Sequence, residues 1–407
     1  MHWKLGDAVI GAGELAKALG QPAAVPFAEN RDTDPRRHLK CASNTGTTYA
    51  CSRVTWLQGG GFVPERVDVN PELLVWARQR SGLPAQDLAA RFPMLAEWEH
   101  GERQPTLKQL ESYAKATHTP IGFLYLPQPP QEQVPIPDFR TIGDTGVARP
   151  SADLLDTIYQ CQQRQEWYRE FAVVNQEAAV EAVGSLSALT DPFAAAAMMR
   201  TALRFEIEER GATWSDALRI LTEHAEGMGF LVMVNGVVGS NTHRKLNPRE
   251  FRGFALADRL APLAFVNGAD TKAAQIFTLV HELVHLWLGE AALDDADLAL
   301  TSAGDVERWC NEVAAEVLVP LALLPAVTLK ALTTEVLDRL ARQFKVSTLV
   351  VLRRMYEAEC LSRDEYQALF STEYQRIMGI IGSRASGGNF FATQPVRVSR
   401  ALIRSIR

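Results

Sequence analysis

No stretch of this 407-residue chain is apolar over the ~20 residues that a helix needs to cross a bilayer, so no membrane span is expected. The start, Met1-His2-Trp3-Lys4-Leu5-Gly6-Asp7, lacks the apolar core of a signal peptide. Cysteine is scarce: Cys41, Cys51, Cys161, Cys310 and Cys360 are scattered, odd in number and never in a CxxC pair. That excludes a disulfide framework and makes a reducing cytoplasm the expected compartment. An excess of positive charge is missing too. Against 42 Lys and Arg stand 48 Asp and Glu, a net charge of −6, which argues against chain-wide affinity for nucleic acid. What is present is an ordinary globular composition, 47% hydrophobic and 22% charged. The length suffices for two or three domains.

The most informative stretch is Thr278-Leu279-Val280-His281-Glu282-Leu283-Val284-His285-Leu286-Trp287. It contains HExxH. Four residues apart, His281 and His285 face the same side of a helix, about 6 Å apart along its axis, so two imidazoles can reach one metal. Glu282 stands beside them, placed to take a proton from a water activated by that metal. The flanks carry no charge and no proline from Phe277 to Leu288. A core helix with two incidental histidines explains this badly, because a glutamate in so apolar a run is rare unless paired or near a metal.

A catalytic zinc takes three protein ligands and leaves one position open. The expected source of the third is Glu307-Arg308-Trp309-Cys310-Asn311-Glu312-Val313-Ala314-Ala315-Glu316-Val317-Leu318-Val319-Pro320, a helix that stops before proline. Glu307 and Asn311 share a face that Ala314 and Leu318 extend. Glu307 as ligand, with Asn311 hydrogen-bonded to a ligand histidine, fits the chemistry. Glu312 and Glu316 form a second pair on another face and remain alternatives, in that order.

HELVHLWLG followed by ERWCNEVAAEVLVP resembles the ImmA/IrrE metallopeptidase family, whose pattern is HExxH and then ExxANxFAxELLMP. Cys310 stands where that family usually has alanine, and Val313 where it usually has phenylalanine. The approach segment is also similar: Gly253-Phe254-Ala255-Leu256-Ala257-Asp258, then Pro262-Leu263-Ala264-Phe265-Val266-Asn267-Gly268. The resemblance covers roughly residues 69 to 400. It implies a zinc-dependent endopeptidase, often one that cuts a repressor or an antitoxin-like partner.

Along the chain, residues 1–68 form an atypical extension whose first 61 residues are rich in turn-formers and end in Gly59-Gly60-Gly61, as if translated from a start codon placed too early. Residues 69–126 predict four helices: 71–80 capped by Asn70, 85–92, 94–100, and 106–117 capped by Thr106. Trp98-Glu99-His100-Gly101-Glu102 resembles the end of an XRE-type helix-turn-helix. The spacing from Leu88-Ala89 to Trp98-Glu99 is short of that pattern by about one helical turn. What remains there is apolar and acidic, and residues 71–126 carry six cations and six acids. A reader of base edges needs the opposite, so sequence-specific DNA binding is not favoured.

Residues 127–190 predict a Pro-rich linker, closed by Asp138-Phe139-Arg140, and a long helix over 151–175 with Leu155, Ile158, Trp167 and Phe171 inside. Residues 191–330 predict the peptidase domain. It comprises two helices within 192–226, a strand over 229–234, an antiparallel pair over 251–258 and 262–266, and the metal helix 270–287. The strand 251–258 is the candidate edge for pairing with a substrate backbone. Residues 331–407 predict a helical region. Leu340 to Arg354 has helix-turn-helix spacing, with Ser347 as cap and a basic outer face, and a basic tail follows with Arg397, Arg400, Arg404 and Arg407.

The expected fold class is therefore α+β and mostly helical: a helix-turn-helix-like module, a zincin-like domain with a small antiparallel sheet, and a helical C-terminal region. The expected function is hydrolysis of a peptide bond in a regulatory protein by Zn²⁺ held on His281, His285 and Glu307, with Glu282 as general base. Mn²⁺ or Fe²⁺ would also suit the donors, though zinc is preferred for a His₂-carboxylate hydrolase. His243, Arg244 and Tyr356 are possible oxyanion donors, none singled out. The competing readings are a DNA-binding regulator or antitoxin-like protein whose metal domain is sensory or structural, and a toxin-type relative restrained by a partner.

Overall fold

Period-two patterning along three strands sorts the peptidase region into layers. The computed structural model describes residues 2–5, 8–11, 65–132, 134–136, 150–293, 304–325, 332–381, 399 and 402. Strand β3 is Leu231–Asn235, β6 is Gly253–Leu256 and β7 is Leu263–Asn267. Leu231 and Met233, Phe254 and Leu256, and Leu263 and Phe265 pack into one core with Leu154, Ile158 and Cys161 of helix α5, Ala152–Val174. The alternate residues Val232, Val234, Ala255, Ala264 and Val266 join a larger core on the opposite face. Successive strand side chains point to opposite faces, so each strand serves both layers. The faces differ in size. Phe254 stacks on Phe265 with centroids 4.8 Å apart, in register across the pair. The other face is lined by Ala255, Ala264 and Gly253, small enough for a helix to lie close.

That helix is α8, Lys272–Leu288. Thr271 caps its start by accepting from the Ala274 N–H, and Gly289 closes its end in the left-handed region at φ 78°. Every residue from Gln275 to Trp287 is buried, as expected of a helix that is apolar all round. Against it packs α9, Asp305–Leu318, which ends before Pro320. Helices α6, Pro192–Ala202, and α7, Trp214–Gly227, complete this layer with α10, Thr334–Phe344, and α11, Thr348–Glu357. Helix α12 is Arg363–Ile381.

One buried cation ties the layer together. Arg210, 0% exposed, donates to the carbonyls of Val317 and Leu318 at the end of α9, of Phe344 at the end of α10, and of Phe205. Helix C-terminal carbonyls lack partners within their own helix, and a guanidinium supplies several donors at once.

The sheet departs from expectation in two ways. Its order is β3-β7-β6-β8, with β8 being Ala292–Leu293. β6 and β7 are antiparallel as expected, but β3 lies parallel to β7, so the sheet is mixed. The hairpin of β4, Val237–Val238, and β5, Asn241–Lys245, intervenes before the chain returns. Full burial of β3 on both faces suits a parallel neighbour. The second departure concerns the edge. β8 pairs with β6 at Phe254 and Ala255, so the segment 251–258 is not a free edge along its length.

The chain forms two compact units, residues 22–131 and the remainder. In the first, helices α1, Pro71–Ser81, α2, Ala85–Arg91, α3, Leu95–Glu99, and α4, Leu107–Ala116, match the four expected. Asn70 caps α1, and Thr106 with Gln109 forms a capping box on α4. The helix in the recognition position, α3, is five residues long and buries Leu95 and Trp98 in the module's core. The helix-turn-helix arrangement itself is not established by this geometry.

Near the N-terminus, β1, His2–Leu5, pairs with β2, Ala8–Gly11. Of the rest of the expected extension, residues 12–64 lie outside the described residues, as do Asp138-Phe139-Arg140 and the arginines of the basic tail. Among the described residues no helix is long and apolar enough to cross a membrane.

Candidate metal centre

The i, i+4 spacing on α8 does what the sequence predicts. His281 and His285 stand with their Nε2 atoms 3.1 Å apart. The first turn of α9 brings Glu307 to both, Oε2 at 3.4 Å from His281 Nε2 and Oε1 at 3.1 Å from His285 Nε2. Among the described residues these three form the one group of His, Cys, Asp or Glu that could hold a metal ion, with ligand atoms within 4.8 Å of one another. All are buried, the histidines at 0% and Glu307 at 5% exposure. The spacing suits an ion. Two nitrogens at about 2.0–2.1 Å from a tetrahedral centre stand about 3.3 Å apart. Trp309 helps fix α9 through its Nε1, which donates to the Thr190 carbonyl at 2.9 Å.

The electrostatics agree. Burial pushes the Glu307 carboxyl up, but hydrogen bonds from His281 and His285, together with their charges, outweigh it and hold it well below the usual carboxylate range. The group therefore stays an anion, as a ligand must.

The other two glutamates have different work. Glu316 ion-pairs with Arg354, and its Oε2 also accepts from the Leu321 N–H. Glu312 is exposed. The expectation of a basic outer face on α11 needs correction for the same reason: Arg354 is 1% exposed and turned inward to Glu316, Glu357 and the Val319 carbonyl. Arg353 pairs with Glu357 at 2.6 Å. Of the oxyanion candidates, Arg244 is held by Asp153 and Asp156, Tyr356 stacks on Tyr366, and His243 is exposed on β5.

Glu282 is 0% exposed and three residues before His285, on the same side of α8. Its placement reveals a residue whose role the sequence left unexplained. A Cβ added to Gly253 would stand 2.6 Å from Glu282 Oε1, 2.5 Å from Thr278 Cγ2 and 2.8 Å from the Phe265 carbonyl oxygen. The start of β6 is glycine because the Glu282 carboxylate occupies the space where a side chain would be. A glycine inside a predicted strand was the available signal. Cys310 was also missed: its Sγ lies 3.8 Å from His285 Nδ1, whereas the residue expected to bond a ligand histidine was Asn311.

HExxH on one helix, with a glutamate converging from the next, is the donor arrangement of a zinc metallopeptidase. Residues 225–356, less than half of the chain, match the peptidase family model described as an IrrE N-terminal-like domain. That span holds α8, α9 and all three clustered side chains. Comparison with curated proteins and with solved structures gives no match. The family match and the buried cluster together support a zinc metallopeptidase acting on a regulatory protein.

Proposed function

We propose that the chain is a zinc-dependent endopeptidase that cuts a repressor or an antitoxin-like regulator, with His281, His285 and Glu307 as ligands and Glu282 as general base. The observation that carries this reading is the convergence of three buried donors from two helices, with a second buried carboxylate, Glu282, on the helix of the two histidines. Zinc is favoured over Mn²⁺ or Fe²⁺ because two imidazoles and one carboxylate, tightly spaced and buried, suit a small four-coordinate ion. When bound, the ion lowers the pKa of water and polarises the scissile carbonyl. Glu282 accepts the proton of the attacking water on its carboxylate and delivers it to the nitrogen of the leaving amine. Burial of the surrounding side chains keeps bulk water from competing for that proton. The nature of the substrate rests on the family match.

Elemental analysis tests the site directly. About one zinc per chain is expected in the wild type, lost in His281→Ala and Glu307→Ala and kept in Glu312→Ala. No zinc in carefully prepared wild type, or loss with Glu312 and not Glu307, overturns the assignment.

A further inference from the structure

We propose that Cys310 is a positioning residue for the metal centre, its sulfur holding the far nitrogen of His285; this rests on the ligand set proposed above. The geometry follows from one turn of α9. Glu307 and Cys310 are three residues apart and so share a side of the helix. Glu307 reaches the Nε2 atoms of the two histidines, and Cys310 reaches the opposite side of one of the rings, with Sγ at 3.8 Å from His285 Nδ1. Both Cys310 and His285 are 0% exposed.

The chemistry decides the direction of the contact. An imidazole that offers its Nε2 lone pair to a metal carries its proton on Nδ1. The Nδ1–H of His285 therefore donates and the Cys310 sulfur accepts. Metal-bound histidines almost always donate this second N–H to an oxygen, which fixes the ring and raises its basicity. Sulfur is a weaker and larger acceptor. It fixes the ring plane while adding less basicity than a carboxylate would.

The cysteine does not act as a fourth ligand. It is outside the group of atoms that lie within 4.8 Å of one another, and it meets His285 from the side away from Glu307.

The test uses the full-length chain with Cys310→Val, which fills the space without an acceptor, and Cys310→Ser, which keeps one. Zinc affinity is measured by competition with a chelator, and the histidine ring N–H protons of the zinc-loaded protein are followed by NMR. Unfolding midpoints of the zinc-free proteins report whether each variant folds. Cys310→Val is expected to lose affinity about tenfold or more, the scale typical of removing an outer partner of a ligand, and to shift the His285 Nδ1–H resonance. Cys310→Ser is expected to stay within about threefold of wild type while shifting that resonance, because oxygen replaces sulfur. Equal affinity in all three proteins overturns the inference, as does an unchanged ring resonance in Cys310→Ser. Equal losses in the two variants also overturn it, since packing alone would then account for them. A wild type that binds no zinc overturns the ligand set itself and is distinguished at the first titration.

Discussion

Adding one methyl group at Gly253 should separate metal binding from catalysis. The Cβ of Gly253→Ala would lie 2.6 Å from Glu282 Oε1. Nonbonded carbon contacts settle near 3.5 Å or beyond, so the carboxylate must retreat by about 0.9 Å or the strand must move. The strand is constrained, because the same Cβ meets the Phe265 carbonyl of the neighbouring strand at 2.8 Å. Glu282 is the movable partner. A displacement of about 1 Å in a catalytic group costs roughly 10²-fold in rate. The ligands lie on other residues, so zinc content should stay near one per chain. Overpacking should lower stability by about 1–3 kcal/mol. The assay is turnover of a fluorescence-quenched peptide library, with zinc content and a urea midpoint measured on the same samples. The expected result is kcat down about 10²-fold, with KM changed little. Thr278→Ser serves as a control, since it removes the methyl that the new Cβ meets at 2.5 Å. In the double variant stability should partly return and kcat should not. A fully zinc-loaded Gly253→Ala within about threefold of wild-type kcat would refute the placement of Glu282 as base.

Replacing Glu282 by Gln should keep zinc and lower kcat by about 10²–10⁴-fold, read by the same turnover and elemental assays. Undiminished cleavage would exclude the proposed base. Arg210→Met removes donors to four carbonyls and should cost about 3–5 kcal/mol in urea unfolding, since each buried acceptor left without a partner costs about 1–3 kcal/mol and the chain relaxes in part. A cost under about 1 kcal/mol would mean that water replaces the guanidinium. Acid should also discriminate. The folded carboxyl of Glu307 lies below its ordinary value of about 4.3, so its stabilising contribution is complete above that value and disappears as pH falls toward the folded one. Urea midpoints of the zinc-free wild type should therefore fall more than those of Glu307→Gln below about pH 4.3; parallel curves would show that the histidines do not hold the carboxylate.

What could be read from the sequence was local, and what could not was distant. HExxH needs only one helix, so the shared face of His281 and His285 follows from spacing. The choice among Glu307, Glu312 and Glu316 lay within one helix, and face-sharing favoured Glu307. The reason Glu316 is buried yet away from the metal lies 38 residues on, at Arg354, where no periodicity points. Strand direction has no local signature, so β3 could be placed but not oriented. The two residues of β8 are too few to show alternation, which is why the neighbouring strand looked like an edge.

The helical hairpin after the peptidase core shows how a pattern can be right and its meaning different. Leu340 to Arg354 does form two helices about a tight turn, with Ser347 accepting from the Val350 N–H and Lys345 in the left-handed region. The spacing is that of a DNA reader, but the side chains are used otherwise. Arg354 grips Glu316 and the Val319 carbonyl, and the Phe344 carbonyl accepts from Arg210, which also holds Val317 and Leu318. Every one of these contacts falls on the last turn of α9 or beside it. The other end of the same helix delivers Glu307 to the histidines and Cys310 to His285. A helix of 14 residues is stiff over its ~21 Å length, so clamping one end sets the position of the other. The hairpin is better understood as an anchor for the helix that carries Glu307 than as a surface for nucleic acid.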